Sequence, residues 1–140
     1  EGNIWVATQN GLDRFRERRV LGSPLSGAGY LFSLARDDAG VVWAADRSNG
    51  ALWRIAPGRA PQREQGQQVI AVANDHRGAL MLAGTRAIEV RYRGTVERIP
   101  LPPGPDGAPV DLRLIGLGHD GKVLWIFSVE TGLMGLVDGK

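Results

Sequence analysis

The chain has 140 residues, the length of one ordinary domain, and its 43% hydrophobic and 23% charged content is that of a soluble globular protein. Seventeen basic residues against fifteen acidic ones leave a formal charge of +2, too small an excess to call for nucleic acid. The absence of cysteine excludes disulfide frameworks, thiolate metal sites and cysteine nucleophiles, and the longest apolar runs, Val41–Ala45 and Val123–Phe127, are far too short to cross a bilayer.

In chain order, Gly2–Phe15 (GNIWVATQNGLDRF) reads as a glycine, a short apolar strand centred on Trp5, a polar turn and a second strand with Leu12 and Phe15. A weaker strand is expected over Arg18–Leu21. The arginines at 14, 16, 18 and 19 are interrupted by Phe15 and Glu17, which suits a solvated strand edge better than a phosphate-binding stripe. The GAGY run, Gly27–Tyr30, passes from loop into strand without a helix and is no phosphate cradle. A strand is expected over Tyr30–Arg36, followed by the turn Asp37–Gly40. The glycine-led layout then returns at Gly40–Ile55, with Trp43 in the large position and Leu52, Trp53 and Ile55 in the second strand, and a weak strand over Ala60–Glu64. It returns again after a strand at Gln68–Asn74 and a turn at Asn74–Gly78. There Gly78–Tyr92 carries Met81, then Ile88, Val90 and Tyr92, with another weak strand over Thr95–Ile99. The proline-rich stretch Pro100–Pro109 reads as an extended loop. Beyond it come a strand at Asp111–Leu117, the turn His119–Gly121, and Gly121–Val137 with Trp125, Leu133, Leu136 and Val137.

The leading glycines Gly2, Gly40, Gly78 and Gly121 are 38, 38 and 43 residues apart. No window keeps a helical apolar stripe for three turns, whereas four antiparallel strands at this period match one blade of a β-propeller. The reading is therefore all-β: a β-propeller fragment of about three and a half four-stranded antiparallel blades, with portions at 1–29, 30–67, 68–109 and 110–140. An open stack exposes an apolar blade face at each end, so missing blades or self-association are expected to cover these faces. The start at Glu1 reads as an excerpt, with any signal peptide or membrane anchor in absent flanking sequence.

The first segment resembles the two-component regulator propeller repeat. That pattern has an Asp or Asn and a glycine, an aliphatic residue, tryptophan, a small apolar pair and threonine, then glycine, an aliphatic, a basic and an aromatic or leucine residue. Gly2, Ile4, Trp5, Val6, Thr8, Gly11, Leu12, Arg14 and Phe15 match it. The second unit keeps Asp38, Gly40, Trp43, Gly50, Leu52 and Ile55 but has Asp46 in the threonine place. The third keeps Gly78, Gly84 and Thr85 with Met81 for tryptophan, and the fourth inserts a residue before Trp125 and has Ser128 for threonine. The resemblance implies the extracytoplasmic, periplasmic-side sensor of a bacterial inner-membrane receptor, touching the membrane only through absent segments. Its output would be a hybrid histidine kinase or, alternatively, a GGDEF diguanylate cyclase. A protein-interaction scaffold is a further alternative, and a propeller lyase the least favoured.

The tryptophans are expected to pack between blades, because they recur at one repeat position inside apolar strands. Trp53, beside Arg54, is read the same way, with a ligand platform as the alternative. His76 and His119 belong to turns with Asp75 and Asp120. Equivalent turns should lie a blade spacing apart, so turn chemistry is expected and neither a metal nor a cofactor. No catalytic constellation is present in the sequence, and the fragment is read as non-catalytic. A ligand, such as an oligosaccharide, is expected at the loops between second and third strands, which contain Gln9, Asn10, Arg47, Ser48, Asn49, Arg86 and Glu130.

Overall fold

The computed structural model describes residues 3–8, 11–16, 24–102, 114–128 and 132–137. The described residues are all-β. A two-stranded antiparallel pair, β1 (Asn3–Thr8) and β2 (Gly11–Arg16), comes first. A four-stranded meander follows, of β3 (Phe32–Arg36), β4 (Val42–Asp46), β5 (Ala51–Ile55) and β6 (Gln62–Arg63). A second such meander contains β7 (Ala71–Asn74), β8 (Leu80–Ala83), β9 (Ala87–Tyr92) and β10 (Thr95–Pro100). The last sheet is β11 (Leu114–His119), β12 (Val123–Ser128) and β13 (Gly132–Val137), also in chain order. The expected strand at Arg18–Leu21 and the centre of the proline-rich loop lie outside the described residues.

The last three are separate sheets stacked face to face, the arrangement of propeller blades. The first strands β3, β7 and β11 adjoin one another in sequence, so successive sheets come closest along that edge. Side-chain alternation divides each middle sheet between two interfaces. Val41, Trp43, Ala45 and Leu52 meet Val69, Val72, Leu80 and Leu82 of the next sheet. On the opposite face of that next sheet, Ala79, Met81, Ala83 and Ile88 meet Leu124, Ile126 and Leu136. Trp43 and Met81 thus occupy one repeat position and both face onward. Trp53 is buried too, with Ala44 and Ala51 on the backward face, its ring tilted against Phe32 at 6.0 Å.

Trp125 departs from the packing expected of it. It holds the Trp43 position, but its face of the last sheet is covered by no described sheet, and it is 40% exposed; Phe127, Leu133 and Val137 are exposed as well. Its register partner is Gly135, where an added Cβ would come within 3.1 Å of the indole, so the ring lies flat on β13.

The turn between first and second strands explains the repeat at the atomic level. The leading glycine has φ of 81° at Gly40, 82° at Gly78 and 101° at Gly121, a left-handed backbone that other residues adopt at a cost. Ahead of it an aspartate closes the turn. Asp37 accepts the Val41 N–H at 2.9 Å and the Trp43 indole N–H at 2.8 Å. Asp120 accepts from Lys122 and Val123 N–H and from the Trp125 indole at 3.1 Å. In the middle unit Met81 has no side-chain N–H to give. Asp75 there accepts the Arg77 and Ala79 N–H groups, and its second oxygen takes the Arg77 guanidinium at 2.9 Å. Met81 is therefore accompanied by a substitute donor two residues after the aspartate.

Candidate functional site

In a meander the turns between second and third strands share one end of the sheet with the crossovers to the next sheet. The turns between first and second strands lie at the other end. At the first of these ends, the Gln67–Val69 crossover runs between two turns. The Val69 N–H donates to Gly50 O at 3.0 Å, and the Ile70 N–H to Ala83 O at 2.8 Å. The β8–β9 turn is closed by the Gly84 N–H on Ala87 O at 2.9 Å. A Cβ on Gly84 would sit 3.4 Å from the Gln68 carbonyl, so the turn and the crossover approach closely. After β10 the chain returns to the same place, where the Leu101 N–H donates to Arg86 O at 3.0 Å.

These segments enclose a cleft of about 370 Å³, within the size range of small-molecule sites. Gln67, Gln68, Thr85, Arg86, Glu89 and Arg98 supply its polar wall. Glu89 is held by the Arg91 Nε–H, and Arg91 in turn lies over the Trp43 ring at 5.5 Å, tying the cleft wall to the core between sheets. A larger hollow of about 580 Å³ lies between the last two sheets. Met81, Val90, Leu124 and Leu136 of the core line it, as do Asp75, Arg77, Glu97, His119 and Lys122, and it borders β13. We regard it as an interval between packed sheets, because its floor is the inter-sheet core itself.

Of the expected ligand residues, Arg86 lines the smaller cleft. Arg47, Ser48 and Asn49 form the β4–β5 turn, at the same end of the fold as the crossover bonded to Gly50. The polar atoms of Ser48 and Asn49 serve that turn. Ser48 donates its N–H and hydroxyl to Asp46, while Asn49 accepts the Ala51 N–H at 2.9 Å and donates to Gly27 O at 3.1 Å. Gln9, Asn10 and Glu130 lie outside the described residues. Gln67, Gln68 and Arg98 are not among the residues singled out from the sequence. They come from a crossover and a fourth strand, and only the return of the chain to one end brings them to Arg86.

Asp46 stands where the repeat usually has threonine, and it is fully buried. Burial alone would push its carboxyl up. Hydrogen bonds from the Ser48 hydroxyl, the Gly29 and Ser48 N–H groups and Asn49 outweigh that and hold it below the usual carboxylate range. The bond to Gly29 pins the segment leading into the second sheet. A Cβ on Gly29 would fall 1.9 Å from Ser48 Oγ, so Gly29→Ala must rotate the hydroxyl off Asp46. That loss of a bond to a charged acceptor is expected to lower stability by about 1–2 kcal/mol, read as a lower urea midpoint at unchanged slope.

At the other end the two histidines overturn the expected separation. The His76 and His119 rings stack with centroids 5.2 Å apart and planes 25° from parallel. The reason is that their sheets adjoin along β7 and β11, so the turns that follow those strands come together instead of fanning apart. His119 Nδ1 accepts the Gly121 N–H at 2.9 Å, a turn role. Among the described residues no group of three or more His, Asp or Glu side chains is placed to hold a metal.

Neither a protein-family model nor a curated protein sequence matches the chain. Among solved structures, a streptogramin B lyase is similar with a TM-score of 0.51 at 11% identity, over 97% of this chain and 48% of that one. A catalytically inactive virginiamycin B lyase from Staphylococcus aureus with quinupristin has a TM-score of 0.48 at 14% identity, over 97% and 48% of the two chains. The selenomethionine-substituted virginiamycin B lyase from Staphylococcus aureus has 0.48 at 12%, over the same shares of 97% and 48%. The chain thus spans about half the length of these structures. At such identities the first likeness bears on fold alone, and with the stacked sheets it identifies a β-propeller fragment.

Proposed function

We propose that the chain is the ligand-binding propeller portion of an extracytoplasmic sensor in a bacterial two-component receptor. In this reading it recognises a small molecule, an oligosaccharide being one candidate, and passes binding on to a histidine kinase or diguanylate cyclase elsewhere in the protein. The observation that carries the binding part is the polar cleft of about 370 Å³ at the end of the sheets where second-to-third-strand turns and crossovers meet. The signalling part and the periplasmic setting rest on the repeat match from Gly2 to Phe15. The non-catalytic reading rests on the sequence, which carries no recognisable catalytic motif.

A thermal-shift panel of saccharides and common metabolites tests binding. A ligand at a hundredfold excess over its Kd should raise the unfolding midpoint by about 5–10 °C. A flat panel would count against small-molecule sensing. It would favour the scaffold reading, which the exposed apolar face of Trp125, Phe127, Leu133 and Val137 supports.

A further inference from the structure

The cleft beside the β8–β9 turn is unevenly charged. Glu89 is its only lining carboxylate, and it is bound by Arg91 and lies 3.5 Å from the Gln67 amide. Arg86 and Arg98 line the same space, and among the described residues neither has a carboxylate within 4.0 Å. Among the described residues the cleft lining thus carries two guanidinium groups against one carboxylate already bound by Arg91, a positive excess in a concave site, where fields are focused and anions are concentrated.

Their backbones are fixed before any ligand arrives. Arg86 is in a turn whose carbonyl accepts the Leu101 N–H at 3.0 Å, and Arg98 is paired with Glu89 in the β9–β10 ladder. A guanidinium presents a planar fork of donors that matches a carboxylate or phosphate. Gln68 and Thr85 add an amide and a hydroxyl able both to donate and to accept, which suits the hydroxyls of a polyol.

Resting on the reading of the module as a small-molecule sensor, we propose that this cleft takes a small polyhydroxylated metabolite bearing an oxyanion. Arg86 and Arg98 grip the anionic group, and Gln68 and Thr85 contact the hydroxyls. The shared chemistry admits a sugar acid or a sugar phosphate.

Calorimetric titration of the protein with D-glucuronate, glucose 6-phosphate and glucose at low ionic strength tests this. At least one anionic sugar should bind about tenfold or more tightly than glucose, and added salt should weaken it. Preference between the two anions identifies carboxylate or phosphate. Arg86→Gln and Arg98→Gln should each weaken the preferred anion about tenfold, with the unfolding midpoint unchanged because both side chains are exposed. Failure of both anions to bind, or unchanged affinity in the double variant, overturns the proposal. Glucose binding as tightly as the anions would also overturn it while leaving small-molecule sensing intact, since the broader thermal-shift panel judges that separately.

Discussion

Replacing Trp43 with alanine is expected to destabilise the protein by about 3–5 kcal/mol, the range for removing a large buried aromatic. The indole is only 6% exposed and fills the interface between the two four-stranded sheets. Its loss also leaves Asp37 without the indole donor and takes away the surface on which Arg91 rests. Against a typical total of about 5–15 kcal/mol, such a loss should be plain in urea unfolding. Trp125→Ala is the internal control. The same repeat position is 40% exposed there, so the expected loss is about 1 kcal/mol or less. Equal losses at both positions would mean that the Trp125 face is covered in solution.

Asp46→Ala should cost about 2–4 kcal/mol, because it strands the Gly29 and Ser48 donors that a buried carboxylate now receives. Asp46→Asn keeps an acceptor and should lose less. The pH dependence has a definite sign. Burial raises the Asp46 and Asp75 carboxyls, but hydrogen bonds to each more than reverse this. Asp120 is held at about 2, chiefly by the Val123 and Lys122 N–H groups. All three folded values lie below the ordinary 3.8, so their stabilisation is complete above that value and is lost as pH falls through the lower folded ones. The unfolding midpoint should therefore drop between about pH 4 and 2, and less steeply in Asp46→Asn. A midpoint that stays level over that window would contradict the account.

The repeat was legible because its marks are local. Glycine after an aspartate-bearing turn and a large residue three or so positions later are sequence-adjacent, and they located β4, β5, β8 and β9 closely. Fourth strands were harder: Thr95–Ile99 was expected and β10 runs Thr95–Pro100, but Ala60–Glu64 contracts to Gln62–Arg63. The strand expected from Gln68 begins only at Ala71, because Val69 and Ile70 bond to the neighbouring turn and to β8 as the chain crosses between sheets. The last first strand ends at His119 where Leu117 was expected, since His119 pairs with Leu124 at the turn; residues 111–113 lie outside the described residues. What stayed hidden depends on neighbours across sheets or across a sheet end. The histidine stack, the burial of Asp46 against Gly29 and the meeting of Arg86 with Arg98 join residues whose sequence spacing carries no sign of contact.

Among the described residues successive sheets share no ladder; packed side chains make most of the seam between the two four-stranded units, with isolated bonds across it such as the Val69 N–H on Gly50 O and the Val72 N–H on Ser33 Oγ. Such a seam resembles the joint between two subunits more than the inside of a barrel, where altering the strand count disturbs every register. A unit can be gained or lost here with its own ladder intact, so ring size is open to change by duplication, and selection need only re-match two apolar surfaces.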